Sequence, residues 1–111
     1  MIAELSARGV GLAICSNKPQ ALCDKILGDL GIDTRFAIIV SSTPDRPRKP
    51  DPASALLALD ALGGDPTTAL FCGDSLIDVE TARSAGIAPC LVRWGYGTAH
   101  ARSLHPSLPV L

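Results

Sequence analysis

No apolar run in these 111 residues approaches the roughly 20 residues that a bilayer-spanning helix needs. The first turns carry Glu4 and Arg8, so neither a membrane anchor nor a signal peptide is visible. Aromatic residues make up only 4%. The one dense basic cluster, Arg46-Pro47-Arg48-Lys49-Pro50, is broken by prolines and has no stacking aromatics beside it, which argues against a nucleic-acid partner. A net charge of −1 points to no polyanion either. Cys15, Cys23, Cys72 and Cys90 form no Cys-x-x-Cys and sit mostly in apolar runs, so they are expected to be buried, reduced thiols in a cytoplasmic protein. His100 and His105 fall in a polar tail, which leaves zinc without a ligand set. The chain also lacks any Asp-x-Asp.

What is present suits one globular domain: 47% hydrophobic residues, 19% charged, and a length that buries well over half of the unfolded surface. Short apolar runs alternate with segments of helical period. Met1 to Arg8 reads as the end of a helix stopped by Gly9. Strands are expected at Val10 to Cys15, Phe36 to Val40, Ala69 to Cys72 and Cys90 to Trp94. Pro19 suits the first turn of a helix whose Leu22, Cys23, Ile26, Leu27 and Leu30 form a buried stripe before Gly31. Asp51 and Pro52 suit the start of another, with Ala55, Leu56, Leu59 and Leu62 facing the core until Gly63-Gly64. A further helix covers about residues 79–85, and the tail from Thr98 announces no element. This order implies an α/β fold, a Rossmann-like parallel sheet with helices on both faces.

Ligands of such sheets bind beyond the carboxyl ends of the strands. Ser16 and Asn17 follow the first strand, Gly73-Asp74-Ser75 the third, and Arg93 to Gly97 the last, while Lys49 lies in the long loop Ser41 to Pro52, stiffened by Pro47, Pro50 and Pro52. A hydroxyl, an ammonium and a carboxylate pair that binds an oxygen-seeking cation are what phosphoryl transfer asks for. Each also has a plainer reading. Ser16-Asn17 suits a helix cap, Lys49 a solvated lysine, Asp74 the N-cap of its helix, Asp78 the favourable end of that helix's dipole, and Trp94 and Tyr96 edge packing.

In this order the motifs resemble one family. Ile14-Cys15-Ser16-Asn17-Lys18-Pro19, then Arg48-Lys49-Pro50-Asp51-Pro52, then Gly73-Asp74-Ser75-x-x-Asp78 with Ala82 and Ala85-Gly86, are similar to the second, third and fourth motifs of the haloacid dehalogenase-like hydrolases, nearest to the phosphoglycolate phosphatase-like group. The resemblance covers residues 1–98 as a partial core domain and leaves 99–111 as a tail. It implies that Ser16 hydrogen-bonds a phosphoryl group with Asn17 beside it, that Lys49 offsets charge, that Asp74 coordinates Mg²⁺, and that Asp78 acts from the metal's near shell.

The family's first motif, an Asp-x-Asp on the central strand, would supply the nucleophile and the acid/base, and its helical cap would follow. Neither is in this sequence. The resemblance therefore implies the C-terminal part of a larger enzyme that hydrolyses a small phosphorylated metabolite through an aspartyl-phosphate, this chain being inactive alone. A non-catalytic metal- or phosphate-binding module that pairs with another chain is the alternative. A phospho-acceptor receiver domain fits less well, since its acidic pair follows the first strand and its lysine the last. The missing strand would lie between those at Val10 to Cys15 and Ala69 to Cys72. A gap is expected there rather than closure, and with it self-association.

Overall fold

The computed structural model describes residues 2–111. Its elements follow the expected alternation, and the chain divides into two units, Met1–Arg48 with Ala53–Gly64 and Lys49–Pro52 with Asp65–Leu111.

In the first unit, helix α1 (Ile2–Ala7) stops at Gly9, whose φ of +77° is the left-handed turn that a residue without Cβ makes at little cost. Met1 lies outside the described residues. Strand β1 (Ala13–Pro19) leads into α2 (Gln20–Asp29), and β2 (Ile38–Ser42) is followed after the long loop by α3 (Ala53–Ala61). The strands are parallel, with Ala13 against Ile38, Ile14 against Ile39 and Cys15 against Val40. The register then slips, so that Pro19 meets Ser42 and the residues between lie in an irregular stretch.

Val40, Cys23, Leu27, Ala55, Ala58 and Leu59 are the buried apolar residues here. The expected stripe on α2 is narrower than its pattern suggests: Leu22, Ile26 and Leu30 are exposed. Leu56 on α3 is also exposed, its place taken by Ser54 and Ala58. Two strands set about 4.8 Å apart offer too narrow a surface to cover more than a thin line of a helix about 10 Å across.

In the second unit, β3 (Leu70–Gly73) pairs in parallel with β4 (Ala88–Leu91) through Leu70–Ala88, Phe71–Pro89, Cys72–Cys90 and Gly73–Leu91. Helix α4 (Leu76–Ala85) connects them. It starts three residues earlier than the periodicity suggests because Ser75 caps it, and it ends at Gly86, φ +74°. Strand β4 ends at Leu91 rather than at Trp94, since Val92 to Gly97 turn sharply toward α5 (Thr98–Leu104). The tail is built in: Leu111 N–H donates to Leu91 O at 2.7 Å, and Leu108 and Val110 pack on Val79, Leu91 and Ala101. Small residues hid this helix from a hydrophobic-period reading.

All four cysteines are free thiols; Cys23 and Cys90 are buried as expected, whereas Cys15 is half-buried and Cys72 is exposed. It shares an uncovered face of β3 with Leu70. Among the described residues the strands form two two-stranded parallel sheets, β1 with β2 in the first unit and β3 with β4 in the second. The fold is an incomplete Rossmann-like α/β domain. No described helix is long and apolar enough to cross a membrane.

Candidate functional site

The turn from β3 into α4 assembles the second unit's polar cluster. Ser75, at the N-cap in extended conformation, accepts a hydrogen bond from Asp78 N–H at 3.4 Å, and its hydroxyl donates to Asp78 Oδ2 at 3.1 Å. This serine is the cap that the plainer reading had placed on Asp74. Asp74 N–H donates to the same Oδ2 at 3.0 Å. On the other oxygen, Lys49 Nζ donates to Asp78 Oδ1 at 2.6 Å, and both side chains are nearly buried, 10% and 11% exposed. Three donors thus converge on one carboxylate. Lys49 Nζ also lies 5.8 Å from the centre of the Phe71 ring, within cation–π range.

The carboxylate of Asp74 is placed differently, because no donor among the described residues bonds to it. It packs against Gly95, where any Cβ would overlap the Asp74 side chain, and a Cβ at Gly97 would lie 2.5 Å from the Asp74 carbonyl oxygen. At Gly73 a Cβ would strike the Asp78 carboxyl group. These glycines let backbone approach the two acids closely. Trp94 and Tyr96 flank Gly95 and stand in solvent, the tyrosine completely, so neither packs at an edge as expected.

Ser16 and Asn17 lie in the first unit, in the register slip of β1. Ser16 Oγ accepts from Lys18 N–H at 3.1 Å, and Arg48 Nη2 donates to Asn17 O at 2.9 Å. Neither residue caps α2, which begins after Pro19 without a side-chain cap. The structure therefore brings together Lys49, Asp74 and Asp78 in one unit and places Ser16 with Asn17 in the other.

The residues present fit one corner of a Mg²⁺ coordination sphere and no more. Asp74 offers an open carboxylate, whereas Asp78 has both oxygens engaged by protein donors, and no cluster of three or more His, Cys, Asp or Glu exists among the described residues. Sequence reasoning missed the parts played by Ser75, Phe71 and Gly95. The Ser-x-x-Asp spacing is a capping signature and would have found the first; nothing local marks the others. The Cys72 thiol, beside this turn, is pushed up in pKa by desolvation and then by neighbouring Cys90.

The sequence pattern of the haloacid dehalogenase-like hydrolases matches residues 1–86, and the chain belongs to that family. It is 36% identical over 104 residues to a phosphoglycolate phosphatase of Rhodospirillum rubrum, covering 94% of this chain and 43% of that protein. It is 33% identical to an N-acetylmuramic acid 6-phosphate phosphatase of Pseudomonas putida, covering 86% of this chain and 43% of that one. A haloacid dehalogenase-like hydrolase of Streptococcus pneumoniae superposes with a TM-score of 0.83 at 26% identity, over 98% of this chain and 51% of that one. The chain thus spans under half the length of these curated relatives.

Proposed function

We propose that this chain is the charge-handling part of a phosphomonoester hydrolase of the phosphoglycolate phosphatase-like group, in a cytoplasmic enzyme that works through an aspartyl-phosphate. The observation that carries the reading is the nearly buried Lys49–Asp78 pair tied to the backbone of Asp74. Asp78 is the positioning residue: it fixes the Lys49 ammonium and the turn that presents Asp74. Lys49 offsets the negative charge of phosphate and nucleophile, and preorganised charge of this kind costs no reorganisation when the reaction occurs. Ser16 donates to the phosphoryl oxygens and Asn17 borders them. Asp74 provides one ligand for Mg²⁺, whose chemistry would be to neutralise charge on the transferring group. The attacking carboxylate belongs to an Asp-x-Asp that this sequence does not contain. Without it, no phospho-enzyme bond forms.

Assay of the 111-residue chain on a panel of small phosphomonoesters with Mg²⁺ tests this, together with the genomic sequence upstream of Met1. Background turnover and an in-frame upstream Asp-x-Asp are expected. Burst-phase turnover by the chain itself, lost in Asp74→Asn, would overturn the division of labour. The exposed row Leu22, Ile26 and Leu30 favours a second reading, a non-catalytic module that pairs with another chain. An upstream sequence without the acidic motif would turn the balance toward it.

A further inference from the structure

Two cysteines of the second unit have no part in the chemistry above. Cys72 lies on β3 and Cys90 on β4, and the parallel ladder sets them directly opposite each other. Residues opposed in such a ladder point to the same face, so the two thiols are neighbours on the face that alternation turns away from Leu91 and its packing on Val79. Their accessibility differs. Cys72 is exposed, whereas Cys90 is buried and its Sγ donates to the carbonyl of Leu91 at 3.7 Å. The other two cysteines have different surroundings: Cys15 stands opposite Val40 in the first unit's ladder, and Cys23 is buried on α2.

Neighbouring strands lie about 4.8 Å apart, inside the range of roughly 4.4–6.8 Å that separates the Cα atoms of bridged cysteines. A bridge between Cys72 and Cys90 therefore asks for side-chain rotation, with no separation or slip of the strands. Their nearness is also felt electrostatically, because Cys90 is, after burial, the cause that raises the Cys72 pKa. The raised value lowers the thiolate fraction and slows the first attack, but it does not change which sulfur is within reach. An accessible thiol beside a buried one divides the work of disulfide exchange, the first meeting the reagent and the second resolving the mixed disulfide.

We propose that Cys72 and Cys90 are a reversible disulfide site, closed by a small organic disulfide. The Cys72 thiolate attacks one sulfur of the reagent, forming a mixed disulfide and releasing one small thiolate, which takes up the proton that Cys72 gave up. Cys90 then attacks Cys72 Sγ. The Cys72–Cys90 bond replaces the mixed one, and the second small thiolate leaves with the proton from Cys90. The protein thiols are oxidised by two electrons, and one reagent disulfide is reduced to two thiols. In a reducing compartment such bonds are transient and serve to sense oxidants. The bridge ties β3 to β4 immediately before Gly73-Asp74, so oxidation braces the turn that carries Asp74, Ser75 and Asp78.

The test incubates the 111-residue chain in native buffer with oxidised glutathione for hours, then denatures it, blocks it with iodoacetamide, digests it with trypsin and reads the peptides by mass spectrometry. Cleavage after Arg83 puts the two cysteines on different peptides. The expected product is a Cys72–Cys90 bridge at least about tenfold more abundant than any other pairing, reversed by dithiothreitol, with Cys15 and Cys23 alkylated. Cys90→Ala should stop at glutathionylated Cys72, and the same incubation in concentrated urea should lose the preference, since the strand register selects the pair. Wild-type Cys72 left as a mixed disulfide with Cys90 alkylated, a mixture of pairings in native buffer, or alkylation of every thiol after incubation each overturns the proposal. None of these results bears on the phosphatase reading, which uses neither thiol.

Discussion

Removing Asp78 should cost far more stability than removing Lys49, although the two form one ion pair. At 2.6 Å and an effective dielectric of about 20, the gross attraction is about 6 kcal/mol. Desolvation of two nearly buried charges costs several kcal/mol each, so the pair as a whole contributes little net. Deleting one partner breaks that balance unequally. Asp78→Ala removes the carboxylate that faces the nearly buried ammonium of Lys49 and also takes the acceptor from Asp74 N–H and the Ser75 hydroxyl. The expected loss is about 3–5 kcal/mol. Lys49→Met deletes the cation itself and leaves Asp78 with its two other donors, so about 1–3 kcal/mol is expected.

A domain of this length has on the order of 5–15 kcal/mol in total, so the first variant should be marginal and the second well folded. Denaturant unfolding followed by far-ultraviolet circular dichroism gives both values. Asp78→Asn, which keeps the shape and an acceptor, should fall between them and serves if the alanine variant does not fold. The double variant Lys49→Met with Asp78→Ala should recover at least about 1 kcal/mol relative to additivity. If both single variants cost less than about 0.5 kcal/mol, the pair behaves like a surface ion pair and its positioning role is wrong.

Gly95→Ala should push the loop off Asp74 and destabilise the chain by roughly 1–3 kcal/mol, the usual cost of overpacking; unchanged unfolding and an unchanged Trp94 emission spectrum would contradict the close approach. Calorimetry should find Mg²⁺ affinity in the millimolar range or weaker, since Asp74 is the one open carboxylate of the pair, and a micromolar constant would show a metal site that these residues do not make. The raised pKa of the Cys72 thiol favours the neutral form in the fold, so its contribution to stability is full below the unfolded value near 9.0 and is lost as pH rises through the folded value. Wild type should therefore lose stability above about pH 9 more steeply than Cys72→Ser, and parallel curves would refute the assignment.

Element order was legible because each strand is a short apolar run and each of the first four helices is followed by a glycine in a left-handed turn, Gly9, Gly31, Gly63 and Gly86. What periodicity does not encode is the width of the surface a helix meets. Leu22, Ile26 and Leu30 have the spacing of a core face, yet only Cys23 and Leu27 find cover over two strands. The same limit hid α5, whose buried Thr98 and Ala101 are too small and too polar to register as a stripe.

In the site, residue types and spacing pointed to Lys49, Asp74 and Asp78 without saying how they divide the task. Twenty-nine positions separate Lys49 from Asp78, and no local rule links them. Only the fold brings the lysine to Asp78. That geometry also explains why the two carboxylates four residues apart are not equivalent. Asp78 accepts from Lys49, the Ser75 hydroxyl and the Asp74 backbone, whereas Asp74 has its side chain against Gly95 and its carbonyl against Gly97, and no donor among the described residues bonds to its carboxylate.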